Sequence, residues 1–512
     1  MLITILYIIA CAVSFALASI YFIHMFQLNG YHKKAHLKWF CDTLGSSAAK
    51  LTPAFIAFVL ACIPNEKCRI AVIVLSVISA FFLLPDTNAK KPIVFTARVK
   101  RLIFTEIVVF SAFTVVACLY TPVGFLPSLA VIIANFIVLV CDIINSPFEK
   151  AVKNHFIKDA KRILASRKNL TIIGITGSYG KTSCKNYLSK LLSPKYNVLI
   201  TPASYNTPMG VVKTVREHLK NSHEIFICEM GAKNVGDIKE LCDIVHPHMG
   251  LITSVGPQHL ESFKSIDNVI KTKFELYDAV PKDSKVYLNY DNEYIKSVNV
   301  SNNAVSFGSQ NSGAMCIAKN ITLSAKGTDF DIEYNGRNIH FSTKLLGSHN
   351  VQNLAGCIAI ALDLGVDEKD VVLAVKRLET VQHRLQIIDG GNITIIDDAF
   401  NANPSGTKAA LQVLECFDGL KIIVTPGMIE LGQKQKELNE EFGKNCTEVC
   451  DYILLVGSRI ADEVYKGVMK TDFDKEKLLR FDKVQDAVAY ARGIESDRKK
   501  FVLLENDLPD NY

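Results

Sequence analysis

Apolar positions change their rhythm twice along this chain. From residue 2 to about residue 144 they run together in long stretches almost free of charge. From Thr171 onward they fall into short β-branched runs separated by segments with helical spacing. Between about residues 314 and 346 they alternate one by one. The stretches 2–26, 102–120 and 123–144 are each long enough for a helix to cross a bilayer. Stretches 51–64 and 70–85 are shorter. They read either as two further spans, the first starting near Ser46, or as a re-entrant hairpin. The pattern predicts an N-terminal α-helical membrane region over residues 1–146 with about five spans. A cleavable signal peptide fits poorly, because no basic residue precedes the first stretch and more spans follow.

Basic residues sit beside these stretches: His32, Lys33, Lys34 and Lys38; then Lys90, Lys91, Arg98, Lys100 and Arg101; then the tract 150–168. Placing all three clusters on the cytoplasmic side puts the N-terminus outside and everything after the last span in the cytoplasm. Lys67 and Arg69, on an outer link, run against that rule. The expectation is a multi-pass protein of the cell membrane, with a basic cytosolic linker over 147–170. An ATP-driven transporter would need charge inside the spans. Only Glu106 and Asp142 qualify, and both read as lying near helix ends.

After residue 170, strands alternate with helices, which predicts α/β domains built on parallel sheets. Runs at 171–175, 225–228, 250–254 and 286–289 are strands of a central domain over 171–384. The alternating stretch 314–346, with Gly327 and Asn335-Gly336 as turn signals, reads as an antiparallel β insertion in it. Runs at 393–398, 422–425, 453–456 and 501–504 belong to a second, smaller domain over 385–512. The fold class is a parallel-sheet P-loop ATPase-like central domain followed by a Rossmann-like α/β C-terminal domain.

Composition narrows this further. A chain of 512 residues is too long for one domain. The net charge of +6 lies beside the apolar stretches, so it reads as membrane topology, and no nucleic-acid partner is expected. The 14 cysteines are scattered without a C-x-x-C pair, which argues against a zinc site or a disulfide framework and fits a reducing compartment. The oligomeric state is not written in the sequence.

The chemistry centres on the strand, turn and helix at 171–192. Gly177 and Gly180 allow backbone N–H groups to close on phosphate oxygens, the helix start adds partial positive charge, Lys181 can reach terminal phosphates and the Thr182 hydroxyl can meet Mg²⁺. The spacing departs from the strict phosphate-loop pattern, since Ile175 stands at the first glycine's place. Glu229, His259 and Asp398 also lie at or just past strand ends, where open parallel sheets bind ligands. Taken singly, Glu229 is a solvated strand end, His259 a surface histidine, Asn350 a helix N-cap and Lys273 an exposed helical lysine.

Five segments in order change that weighting: G-I-T-G-S-Y-G-K-T at 174–182, E-M-G-A at 229–232, H-L-E at 259–261, G-S-H-N-V-Q-N at 347–353 and D-D-A-F-N-A-N-P at 397–404. Together they resemble the Mur ligase family, and within it the D-alanyl-D-alanine-adding MurF branch. The resemblance implies an ATP-dependent acid–amino-acid ligase of cell-wall peptidoglycan synthesis, working through an acyl phosphate, with ATP and Mg²⁺. Its partners would be a muramoyl-peptide precursor and D-alanyl-D-alanine or a related amine. It further implies that Thr176, Gly177, Ser178, Gly180, Lys181 and Thr182 cradle the nucleotide. Asn350, Asn353, Arg384, Asp398 and Asn401 would contact it from the far side. Thr182, Glu229, His259 and a carbamylated Lys273 would serve the metal. Lys181, His259, Lys273 and Arg384 would carry catalysis. Two departures bear on substrate. The family's soluble domain for the UDP-sugar is replaced by membrane stretches, so a lipid-linked acceptor competes with a UDP-linked one. The branch's basic segment after the last strand is replaced by Glu505, Asp507 and Asp510, which are expected at the amine end of the substrate or on a cation of this chain. A non-catalytic membrane scaffold that kept the fold is the competing class.

Overall fold

The β-branched runs after residue 170 form strands because Val, Ile and Thr pack well on a pleated surface. In the computed structural model they build two sheets. The residues it describes are 2–63, 65–84, 91–120, 122–203, 205–258, 260–301, 303–309, 313–400, 402–457 and 460–506. His259, Asn401, Asp507 and Asp510 therefore lie outside the described residues.

The first sheet has nine strands: β1 (Thr171–Thr176), β2 (Val198–Ile200), β3 (Ile225–Glu229), β4 (Met249–Ile252), β5 (Val286–Asn289), β6 (Ala304–Gly308), β7 (Cys316–Ser324), β8 (Gly327–Tyr334) and β9 (Arg337–Thr343). Their order is β2-β3-β1-β4-β5-β6-β7-β8-β9. All pairs from β2 to β7 are parallel, and β7, β8 and β9 pair antiparallel. The alternating stretch is thus no separate insertion. β7 pairs with β6 and extends the main sheet, a non-local pairing that periodicity does not reveal. Side chains of β1 divide between two cores: Ile173 and Ile175 pack with helices Lys181–Leu192 and Ser348–Asp363, and Ile172 packs on the opposite face with Phe226 and Ile238. A sheet covered on both faces needs apolar residues at successive positions, which is why these strands read as continuous runs.

The second sheet contains β10 (Gln386–Asp389), β11 (Ile393–Asp398), β12 (Leu420–Thr425), β13 (Tyr452–Val456), β14 (Leu478–Phe481) and β15 (Lys500–Glu505), ordered β10-β11-β15-β12-β13-β14. Only the β10–β11 pair is antiparallel. The edge strands β10 and β14 are only four residues each and not buried, so their short apolar runs, Ile387-Ile388 and Leu478-Leu479, mark them less clearly than the inner four.

Residues 156–508 form one compact unit that holds both sheets, and residues 1–155 form another. The tract expected as a linker at 147–170 is helical as far as Ala165, within helix Leu126–Ala165. Ala160 and Leu164 are buried in the core that also holds Ile172. Among the described residues, three helices are long and apolar enough to cross a membrane, by length and composition: Ile3–Leu28, Ala97–Tyr120 and Val123–Ala165. The two shorter stretches become helices Leu44–Leu60 and Glu66–Phe82, each of 17 residues, paired by a bond from Ser79 Oγ to the Lys50 carbonyl at 2.7 Å. They are a helical hairpin shorter than the three long helices, so the stretches expected as about five spans comprise three long helices and this shorter pair. Glu106 and Asp142 lie inside their helices, not near the ends. Asp142 meets Arg98 at 3.0 Å and Lys33 at 3.4 Å, and Glu106 accepts from Ser19. All 14 cysteines are free.

Candidate active site

Strand order reverses at β1, which opens a crevice beyond the carboxyl ends of β3, β1 and β4. The turn Gly177–Gly180 fills it. Gly177 has φ +151°, and a Cβ there would stand 2.1 Å from Thr253 Oγ1. Gly180 caps helix Lys181–Leu192 at φ +81°, and a Cβ there would press on the Asn353 carboxamide at 2.7 Å. Only glycine takes these conformations without strain at such close approach. The turn is braced from below. Ser178 N donates to the Ser254 carbonyl at 2.7 Å, Tyr179 N to Ser254 Oγ at 2.9 Å, and Ser178 Oγ accepts from Gly256 N at 3.0 Å.

Lys181 folds back on this turn, donating to the carbonyls of Gly177 at 2.7 Å and Ser178 at 3.0 Å. Burial, opposed by Glu229 and helped by Arg384, pushes its ammonium down to about 8. Thr182 Oγ1 donates to Glu229 Oε1 at 3.2 Å, which joins the helix start to the end of β3. Asn206 Nδ2 donates to the same oxygen at 3.1 Å. Glu229 Oε2 forms an ion pair with Lys185 at 2.9 Å, outside the angles of a hydrogen bond. Glu229 is therefore a buried carboxylate with three protein partners, not a solvated strand end.

Lys273 is only 2 % exposed in helix Ile266–Ala279, with its ammonium 6.0 Å from the centre of the Phe263 ring. Burial, and then the charge of Lys181, hold that ammonium well below the ordinary lysine range. The exposed helical lysine is thus excluded. Asn350 is not the N-cap of its helix, a place taken by Gly347. It accepts from Tyr187 OH at 2.9 Å and donates to the Leu346 carbonyl at 2.8 Å. Thr176 is likewise spent inside the fold, donating to the Met230 carbonyl at 3.0 Å.

The second sheet supplies the facing wall. Arg384 stacks over Phe400 at 4.3 Å and feels the charges of Asp398, Glu229, Tyr187 and Glu505. Asp398 ends β11 and lies in register with Glu505 at the end of β15. Burial pushes the Asp398 carboxyl up to about 6, against the pull of Arg384. Glu505 is 1 % exposed, and neither carboxylate oxygen has a hydrogen-bond partner among the described residues. Burial and the neighbouring Asp398 raise it well above its ordinary value. An acid whose folded value is raised contributes stability below its unfolded value and loses it as pH rises through the folded one. Glu505→Gln is accordingly expected to stabilise the chain at pH 8 by on the order of 1 kcal/mol, with the gain fading towards pH 4. Thermal melts across that range test it, and a variant that melts below wild type at pH 8 would refute it.

The described members of the sequence motifs thus meet in one place, while His259 and Asn401 lie outside the described residues. Lys185, Asn206 and Tyr187 were missed. Lys185 follows Lys181 by four residues and so shares its helix face, a signal that was available. The donor set suits Mg²⁺, which takes one or two carboxylates together with hydroxyl, water and phosphate oxygens. Thr182 Oγ1 and Glu229 would supply the protein's share, next to the N-terminus of a twelve-residue helix.

Comparison with known proteins agrees with this geometry. Residues 175–361 match the Mur ligase middle domain, and residues 383–505 match the Mur ligase glutamate ligase domain. The UDP-N-acetylmuramoyl-tripeptide–D-alanyl-D-alanine ligase of Buchnera aphidicola subsp. Baizongia pistaciae is 32 % identical over 274 residues, which is 53 % of this chain and 59 % of that protein. The chain thus spans about three fifths of that relative's length. MurF from Acinetobacter baumannii superposes with a TM-score of 0.63 at 26 % identity, covering 70 % of this chain and 78 % of that one. The MurF ligase of Thermotoga maritima, solved in complex with ADP, gives 0.61 at 27 % identity, covering 69 % and 80 %. On these two matching domains and the site they enclose, the chain belongs to the Mur ligase family.

Proposed function

We propose that this protein is an ATP-dependent amide ligase that extends the peptide of a muramoyl cell-wall precursor, with D-alanyl-D-alanine or a related amine as the second substrate. The observation that carries the reading is the meeting of Lys181, Thr182 and Glu229 with Arg384 and Asp398 across one crevice. In such a reaction an acceptor carboxylate attacks the γ-phosphorus of ATP and ADP leaves. The amine then attacks the acyl carbon, phosphate leaves, and the amine gives up a proton.

The first step brings an anion towards a polyanion, so cations must converge on it. Lys181 leaves its loop carbonyls for the phosphates, and Arg384 approaches from the second sheet. The turn Gly177–Gly180 offers backbone N–H groups at a helix start, which suits phosphate oxygens. Mg²⁺, held by Thr182 and Glu229, would neutralise phosphate charge when bound. Burial of Lys273 and Glu229 keeps water from this charge and strengthens each contact.

A refinement concerns the acceptor. The three long apolar helices favour an anchored enzyme, and the basic clusters beside them favour a cytoplasmic active unit. A lipid-linked muramoyl peptide would then be held at high effective concentration near the site. ADP release by the purified full-length chain in lipid vesicles tests both levels. Release that requires an acceptor and an amine together is the expected result, with the lipid-linked acceptor half-saturating at a lower bulk concentration than its UDP-linked counterpart. No release with any pair would sink the ligase reading. Equal half-saturation would sink the refinement alone.

A further inference from the structure

Lys185 takes no part in the reaction as proposed, yet it is among the largest fully buried side chains of the molecule. Its ammonium stands 2.9 Å from Glu229 Oε2 and donates to the Ala203 carbonyl at 2.6 Å, and both partners of the ion pair are 2 % exposed at the side chain. The other oxygen of Glu229 is taken by Thr182 and Asn206. Every oxygen of this carboxylate is thus already matched by a protein group. We propose that Lys185 is the resident counter-ion of Glu229 and sets how tightly the site takes a divalent cation.

The argument is electrostatic. A buried carboxylate without a partner is costly, so Lys185 keeps the end of β3 in place while no metal is there. A divalent cation that uses Glu229 must share the carboxylate with this ammonium or displace it. The two positive charges repel at short range in a dry site. An ammonium has three N–H donors. It can yield Glu229 and keep Ala203, so displacement does not strand it. Lys185 is therefore a positioning residue, acting on the metal through Glu229. The inference rests on the proposed ligase only for what the metal later does. Its test uses Mn²⁺ alone, without nucleotide or acceptor, so the two can fail separately.

Free Mn²⁺ is counted by electron paramagnetic resonance during titration of the purified full-length chain, and thermal melts are run in parallel. Lys185→Met should melt below wild type in metal-free buffer and be raised by Mn²⁺ more than wild type. Its Mn²⁺ affinity should be about tenfold tighter or more, as expected when a like charge is removed from a buried site. A purely structural lysine would lower the melting temperature without changing the response to Mn²⁺, and that result would overturn the proposal. Lys185→Arg keeps the charge and grips a carboxylate through two donors, so it should bind Mn²⁺ no better than wild type. If the Met variant does not fold, the Arg variant decides, and tighter Mn²⁺ binding there would overturn the proposal. Lys185→Met combined with Glu229→Gln removes both charges and should lose the Mn²⁺ response; retention of it would also overturn the proposal.

Discussion

Lys181→Ala is expected to abolish acceptor-dependent ADP release while leaving the fold intact. The residue starts helix Lys181–Leu192, and among the described residues its ammonium donates to the carbonyls of Gly177 and Ser178. Alanine removes those two bonds but is a good helix former, so the cost in stability is small. The loss in the transition state is large. The charge sits in a buried site, where one electrostatic contact on a developing anion is worth about 3 kcal/mol or more, a hundredfold or greater fall in kcat. Activity within about tenfold of wild type would refute the assignment of this turn to phosphate. Lys181→Arg should recover little, since a planar guanidinium places its charge and donors differently from a compact ammonium.

Lys273→Ala should cost a comparable factor for a different reason. In its buried place an ammonium is disfavoured by burial and by the charge of Lys181. The neutral amine that results is the form that reacts with CO₂, giving a carbamate with a negative charge and two hard oxygens. Such a group beside Lys181 would turn a repulsive neighbour into an attractive one and offer oxygen to Mg²⁺. Activity of Lys273→Ala is expected to fall about a hundredfold or more, and formate or acetate should restore part of it by filling the vacated oxygen positions. A crystal structure at neutral pH with nucleotide and bicarbonate checks the modification directly. An unmodified lysine at 273 in that structure, or a variant with near-normal turnover, would rule it out.

Lys181 was legible before any fold was known, whereas Lys273 by itself read as an exposed helical lysine and took its role only from the family resemblance. Lys181, Thr182, Glu229 and Asp398 stand at strand ends or helix starts, and a strand end is visible wherever a β-branched run stops at glycine or a charge. The acidic segment after β15 was legible only in part. Glu505 is no solvated terminus but the last residue of an inner strand, buried beside Asp398. Parallel pairing brought these carboxylates together from more than a hundred residues apart in the chain, at Asp398↔Glu505.

By itself the sequence determined what depends on near neighbours. Apolar stretches set the long N-terminal helices, a two-residue period set β7, β8 and β9, and glycines at 177 and 180 set the turn before Lys181. The tertiary structure decided what depends on distant partners: that β7 joins β6, that helix Leu126–Ala165 continues through the basic tract into the core beside Ile172, and that Asn350 serves Tyr187 and not its own helix end. It also decided that Lys185 faces Glu229. The physical reason is common to all four. Local periodicity records which side of an element is apolar, but not which other element will cover it. The partner of a buried charge is fixed only when strands far apart in the chain pair and close the space around it.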